Sequence, residues 1–103
     1  MAVQIVWTEP ALNDLREIVE FLSFRDVAAA ERIGRGLIDQ VELLVEHPRA
    51  GSFVGGECAI DLRKVVFRNW LIVYRHLAEE NRVIIIRIWH GARGPVDLQE
   101  SSR

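Results

Sequence analysis

The chain has 103 residues, of which 50% are hydrophobic and 27% are charged, with a net charge of −2 and one cysteine, Cys58. This length predicts a single domain over residues 1–103, and one cysteine excludes an internal disulfide and any multi-cysteine zinc site. No apolar run approaches the roughly 20 residues of a membrane helix, and no basic segment with a following apolar stretch suggests a secretion signal. We therefore expect a cytoplasmic protein with no membrane partner.

The charges are separated along the chain. Residues 1–59 hold five Arg against ten acidic residues, a charge of −5, whereas residues 60–95 hold six Arg and Lys64 against three, a charge of +4. This separation predicts a basic sheet beside acidic helices, and the overall charge argues against a field that attracts nucleic acid. Twelve of the 13 basic residues are Arg, the residue type suited to bidentate contacts with carboxylates or phosphates.

The N-terminal residues predict a short strand that leads into a helix. Val3, Ile5 and Trp7 alternate with their neighbours, as in a strand with one buried face. Thr8 is a residue type that caps helices, and apolar residues at helical spacing follow it. We therefore predict a helix over residues 10–24.

A second helix is predicted over residues 27–46. Asp26 can cap its start, and Pro48 requires it to end, because the residue before a proline is pushed out of the α region. Gly34 and Gly36 each cost about 1 kcal/mol relative to alanine in a helix interior. Either the first helix packs closely against this one near Gly34, or the glycines are simply tolerated.

The last third of the chain, residues 60–93, predicts three β-strands. The polar breaks between its apolar runs are a few residues long, which permits hairpins and excludes crossover helices. Residues 49–57, with three glycines, form the one sizeable loop. The fold class is therefore α+β, a two-helix hairpin packed on an antiparallel sheet in the order β-α-α-β-β-β, with the N-terminal strand at the sheet's edge.

The sheet face turned away from the helices is the predicted partner surface. Strict alternation gives this face an apolar surface with arginines interspersed, which suits a protein partner. Its expected members are Leu71, Val73, Arg75, Val83, Ile85, Arg87 and Trp89. Trp89 beside Arg87 is a candidate hot spot, because Trp and Arg dominate such sites.

Six short motifs follow one another along the chain: Trp7-Thr8-Glu9-Pro10-Ala11, Asp14-Leu15, His47-Pro48-Arg49-Ala50-Gly51, Leu62-Arg63, Ile72-Val73-Tyr74-Arg75 and His90-Gly91-Ala92-Arg93. In this order, they resemble the ParE/RelE superfamily of toxins over residues 3–95. The resemblance implies a toxin of a bacterial type II toxin–antitoxin pair. RelE-like members cleave mRNA on the ribosome without a metal, using basic residues and often a tyrosine. ParE-like members act on DNA gyrase and block replication.

The residues that the resemblance implies for RNA cleavage are only partly present. Such cleavage needs a base, cations for the phosphorane and an acid. Lys64 and Arg93 stand at matching positions, but Leu62 and Leu71 replace two expected cations. No tyrosine follows Arg93, and Gln99 stands near the place that it would occupy. We therefore expect a ParE-like protein inhibitor of gyrase rather than a metal-independent mRNA-cleaving enzyme.

The histidines offer one further catalytic candidate. His90 lies near the end of the last predicted strand, where it is either a general base or part of a structural hydrogen bond. His47, His76 and His90 lack the close spacing of metal ligands. We expect neither a metal nor a cofactor.

The resemblance implies two protein partners. The first is a ParD-like antitoxin, whose C-terminal segment would lie over the sheet face and the helix hairpin and through which any contact with DNA would be made. The second is DNA gyrase, for which Gly91, Arg93 and Leu98 in residues 91–98 are candidates, because this segment projects from the last strand. Two alternatives stay open: a RelE-like ribosome-dependent mRNA endonuclease, and a toxin fold that is no longer toxic and serves as a binding or corepressor module.

Overall fold

Two helices lie against one face of a five-stranded sheet in the computed structural model, which describes residues 3–54 and 61–91. The elements are β1 (Gln4–Trp7), α1 (Glu9–Ser23), α2 (Val27–Glu42), β2 (Ser52–Phe53), β3 (Leu62–Phe67), β4 (Trp70–Leu77) and β5 (Arg82–His90). The predicted α+β class and element order are confirmed. No helix in these two ranges is long and apolar enough to cross a membrane.

The strand order is β1-β5-β4-β3-β2. β1 forms one edge, as predicted, but it runs parallel to β5, so that the sheet is mixed rather than wholly antiparallel. The short strand β2 forms the other edge, opposite Arg63 and Lys64. β2 lies inside the predicted loop over residues 49–57, where nothing in the sequence indicated a strand.

Both helices begin at the predicted caps. The Thr8 hydroxyl accepts a hydrogen bond from the Ala11 N–H at 3.3 Å and donates one to the Ile85 carbonyl at 2.7 Å, which ties the start of α1 to β5. Asp26 accepts from the Ala29 N–H at 3.1 Å and caps α2. α2 ends four residues before the predicted bound of residue 46, and residues 43–45 continue it as one turn of 3₁₀ helix.

The two glycines of α2 allow two different close contacts. A Cβ on Gly34 would lie 2.9 Å from Cγ2 of Val19 on α1, so at Gly34 the first of the two alternatives, a close approach of the helices, is correct. A Cβ on Gly36 would lie 2.2 Å from Cζ of Phe67 on β3. Gly36 is therefore required by the sheet, because the Phe67 ring packs against the backbone of α2.

A bulge in β5 changes which of its side chains face the helices. Val73 lies opposite Arg87, but the next residue of β4, Tyr74, lies opposite Ile85, which leaves Ile86 as an extra residue. The alternation of β5 is therefore reversed across Ile86.

The core between the helices and the sheet includes two residues that were expected on the outer face. Val83 and Ile85 are fully buried in it, so their expected place on the partner surface is wrong. The bulge is the physical reason, because strict alternation back from Arg87 assigns both to the wrong face. The core cluster consists of Val3, Ala11, Leu37, Val41, Leu44, Ile72, Tyr74, Val83, Ile85 and Ile88.

The contact between Gly36 and Phe67 is testable by a pair of substitutions. Gly36→Ala should destabilise the protein by about 1–3 kcal/mol, because overpacking against the ring outweighs the better helix propensity of alanine. Phe67→Leu removes the ring atoms that a Cβ would meet. In that background Gly36→Ala should be neutral or stabilising by up to about 1 kcal/mol. Urea unfolding of the four proteins measures both effects, and equal destabilisation in the two backgrounds would contradict the assignment.

Candidate protein-binding site

The sheet face turned away from the helices is the candidate site. Residues that lie directly opposite each other on neighbouring strands share a face, so the strand registers define its rows. The rows are Val66, Leu71 and Trp89; Lys64, Val73 and Arg87; and Leu62, Arg75 and Ile84. The face has the expected mixture of apolar side chains and cations, with Ile84 in place of the two residues that the bulge moves into the core.

Two expected contact residues lie on this face but offer little surface to a partner. Val73 is fully buried, and Trp89 is only 4% exposed within the chain itself. The guanidinium of Arg87 lies 5.4 Å from the centroid of the Trp89 ring. Trp89 therefore packs within this domain and offers little surface for the expected hot-spot contact. Leu71 and Arg75 keep part of their surface, and Val66 is 59% exposed.

The Arg87 side chain is anchored to α1 by Asp14. Its Nε donates to Oδ2 of Asp14 at 2.6 Å, and its Nη2 donates to Oδ1 at 3.0 Å. Oδ2 also accepts the backbone N–H of Ile88 at 2.9 Å. β1 ends opposite Ile85, so the Asp14 carboxylate occupies the edge of β5 where a further strand residue would otherwise pair. A bidentate contact fixes Arg87 in place and balances its charge.

Two other cations on the face have no such partner in the part of the chain that the structure describes. Neither Lys64 nor Arg75 forms an ion pair within residues 3–54 and 61–91. Nε of Arg75 is buried without a hydrogen-bond partner among those residues. Because an unsatisfied buried donor is unfavourable, Arg75 would be stabilised by an acceptor from outside this part of the chain.

The Leu62-Arg63 and His47–Gly51 motifs build the fold rather than a reactive site. Arg63 is 8% exposed and donates to the carbonyls of Arg49 and Gly51, at 3.2 and 2.8 Å, and to Asp61 at 2.6 Å. The Tyr74 hydroxyl accepts the Gly51 N–H at 2.9 Å. Burial raises the pKa of Tyr74 above its usual value, which keeps this hydroxyl neutral at ordinary pH.

Gly51 is the residue that this packing requires. A Cβ at position 51 would lie 2.5 Å from the carbonyl oxygen of Lys64 and 2.8 Å from the Tyr74 hydroxyl. Real Cβ contacts are not that short, so a larger residue would displace β3 or the tyrosine.

The candidate catalytic residues do not converge in the part of the chain that the structure describes. Lys64 lies on the outer face, whereas His90 lies opposite Trp70 on the helix side, with the two rings edge to face at 5.6 Å. Packing against Trp70 favours the structural alternative for His90. Arg93, the third candidate, lies outside the described residues, as do Cys58, Leu98 and Gln99. No group of three metal-ligating His, Cys, Asp or Glu side chains occurs within the described ranges.

The candidate target-binding segment begins where the described chain ends. Gly91 is the last described residue, and its N–H donates to the Asn69 carbonyl at 2.7 Å, next to the turn between β3 and β4. The remainder of residues 91–98 lies outside the described residues. This hydrogen bond fixes the end of the last strand next to the β3–β4 turn.

The match to a family model covers residues 5–95, and its description is "ParE toxin of type II toxin-antitoxin system, parDE". This chain belongs to the ParE toxin family. It is therefore a toxin of a type II toxin–antitoxin system with the ParE/RelE fold. The matched residues include both helices and the five strands, apart from the first residue of β1.

Known relatives fall on both sides of the ParE/RelE division. Toxin RelE2 of Caulobacter vibrioides is 31% identical over 90 residues, which cover 87% of this chain and 97% of that toxin. The chromosomal ParDE system from P. aeruginosa contains a similar fold, with a TM-score of 0.69 at 18% identity over 86% of this chain and 96% of that one. A chain of the toxin–antitoxin complex RelBE2 from Mycobacterium tuberculosis is also similar, with a TM-score of 0.65 at 21% identity over 87% of this chain and 92% of that one. The two structural likenesses establish the fold.

Proposed function

We propose that this toxin inhibits DNA gyrase and blocks replication, and that a ParD-like antitoxin neutralises it by covering the outer sheet face. The observation that carries the first part is the placement of Leu62 and Leu71 on the same face as Lys64. At both leucine positions, the resemblance to ribosome-dependent nucleases implies a cation. The face has apolar groups where a nuclease would need charge.

Two of the three cations on the face are poorly placed to replace the missing ones. Lys64 lies opposite the apolar Val73, and the charge of Arg87 is balanced by Asp14. Loss of a single electrostatic stabiliser typically lowers a rate on the order of 100-fold or more. With two cations replaced, efficient stabilisation of a phosphorane is not expected, whereas an inhibitory protein surface would be unaffected.

Cleavage of mRNA on the ribosome is the runner-up. The similarity to Toxin RelE2 is the observation in its favour. The third alternative is a non-toxic binding or corepressor module, and the experiment below separates all three.

The outer sheet face is our candidate for the antitoxin surface. Its accessible members combine apolar side chains with two cations that have no carboxylate partner among the described residues: Leu62, Val66, Leu71 and Ile84 with Lys64 and Arg75. This composition suits an apolar segment that carries acidic residues. The apolar contacts should supply more of the affinity, and the charge pairing should set specificity and association rate. With a net charge of −2 on the toxin, contact with DNA would be made through the antitoxin.

The gyrase assignment predicts the outcome of expression without antitoxin. Purified toxin should inhibit supercoiling by gyrase, and primer extension on cellular mRNA should reveal no cleavage at codon positions. Lys64→Ala is the informative variant, because it removes the candidate nuclease cation on the described sheet. It should leave gyrase inhibition within about two-fold, because the candidate gyrase contacts, Gly91, Arg93 and Leu98, belong to a different segment of the chain.

Two other outcomes would overturn the gyrase assignment. Codon-position cleavage that is lost in Lys64→Ala, with gyrase unaffected, would establish the nuclease alternative. Absence of both activities in the wild-type toxin would favour the non-toxic module.

The antitoxin assignment predicts an effect of Leu71→Glu. This change places a carboxylate on the apolar part of the face and should weaken antitoxin binding by about ten-fold or more, because it buries an unpaired charge and removes an apolar contact. Leu43→Glu, at an exposed position after α2, is the matched control and should change affinity by less than about two-fold. Isothermal titration calorimetry measures both, and an equal effect of the two changes would refute this assignment.

A further inference from the structure

The turn between β3 and β4 contains an arginine in a backbone conformation that favours glycine. Phe67 pairs with Trp70, so Arg68 and Asn69 form a two-residue loop. Arg68 has a φ of 54°, whereas the φ of Asn69 is not positive. A positive φ at only the first position of such a loop is usually provided by glycine. A side chain with a Cβ is strained there.

The chain's other described non-glycine residue with positive φ provides a contrast. Asn81, with a φ of 53°, stands just before β5. Asparagine adopts this conformation readily, whereas arginine does not. Arg68 therefore carries strain in the β3–β4 turn, whereas a compatible residue type occupies the other positive-φ position, at the end of the connection between β4 and β5.

Contacts within the described chain do not explain the arginine. Arg68 forms no ion pair within residues 3–54 and 61–91. Its guanidinium lies 5.7 Å from the centroid of the Phe67 ring, close to the limit of about 6 Å for a cation–π contact. A single cation–π contact at this distance offsets little of the free-energy cost of the strained backbone.

The surroundings of Arg68 suit a peptide side chain. A hollow of about 440 Å³ is lined by Val66, Arg68, Asn69, Leu71, His90 and Gly91. Val66 is 59% exposed, and it shares its row with Leu71, so the hollow continues the outer sheet face. One cation beside two apolar walls suits an acidic, apolar peptide, whereas a nucleic acid would be bound through several cations.

We propose that Arg68 is a specificity-determining contact for the antitoxin. The hollow takes an apolar side chain of the antitoxin segment, and a carboxylate next to that side chain pairs with the Arg68 guanidinium. This inference rests on the proposed binding of antitoxin to the outer sheet face. It extends that surface from Leu71 to the end of the β3–β4 turn.

The test is to replace Arg68 by the residue that its backbone favours. Arg68→Gly should raise the melting temperature of the free toxin, by on the order of 5 °C, because it relieves the strain. The same change should weaken antitoxin binding by about ten-fold or more, through loss of a charged contact. A higher melting temperature together with a lower antitoxin affinity would distinguish a binding role of Arg68 from a role in folding, because loss of a folding role would lower the melting temperature. Asn81→Gly is the matched control and should leave affinity within about two-fold.

The binding probe is the purified protein encoded by the reading frame that adjoins the toxin's own, titrated against full-length toxin in a calorimeter. A lower melting temperature of Arg68→Gly would overturn the proposal, because Arg68 would then serve the fold. Unchanged antitoxin affinity would overturn it as well. If that unchanged affinity accompanied a loss of gyrase inhibition, the hollow would belong to the target interface.

Leu71→Glu distinguishes failure of this inference from failure of the proposed surface. Weaker binding by Leu71→Glu alone would leave the sheet-face proposal standing and reject only the role of Arg68. Unchanged binding by both variants would reject the sheet face itself.

Discussion

The Asp14 carboxylate holds the outer end of β5 in place. Beyond Ile85, no strand among residues 3–54 and 61–91 pairs with β5 on the β1 side, and an open edge exposes unpaired backbone groups. Asp14 accepts the Ile88 N–H and both hydrogen bonds from Arg87. One carboxylate thus covers the edge, joins α1 to the sheet and balances a cation. The side chains of this pair are only 11% and 13% exposed, which strengthens their interaction relative to a surface pair.

This anchor lies immediately after the bulge at Ile86, and the two features together determine the outer face. The bulge turns Val83 and Ile85 into the core and keeps Arg87 on the other side, where Asp14 then fixes it. The result is a face whose available charge is concentrated at Lys64 and Arg75, among leucine and valine side chains. This composition is the basis for proposing that the face binds a protein segment.

The helices could be predicted from sequence because their signals are local. Thr8 and Asp26 act as the caps that their residue types suggest, and the requirement for Gly34 follows from a close helix hairpin. The bulge could not be predicted, because residues 84–86 are all isoleucine. In such a run, the sequence does not indicate which side chains face the core. Contacts between segments that are far apart in sequence could not be predicted either.

Two examples illustrate this second limit. Gly36 is required by Phe67, which is 31 positions later in the chain, and no local pattern connects them. The motif with Asp14 was visible as part of a family resemblance, but its role became clear only when α1 and β5 were seen side by side. The composition of the outer face was predictable, whereas the accessibility of Trp89 was not, because burial depends on neighbours from several strands.

A double-mutant cycle of Asp14 and Arg87 tests the central structural claim most directly. Free energies of unfolding of Asp14→Ala, Arg87→Ala and the double variant should give a coupling energy of about 2 kcal/mol, because either single change leaves a partly buried charge without its partner. The exposed pair of Glu80 and Arg82, 3.7 Å apart, is the control and should couple by less than about 0.5 kcal/mol. A coupling between Asp14 and Arg87 no larger than that of the control would contradict the account.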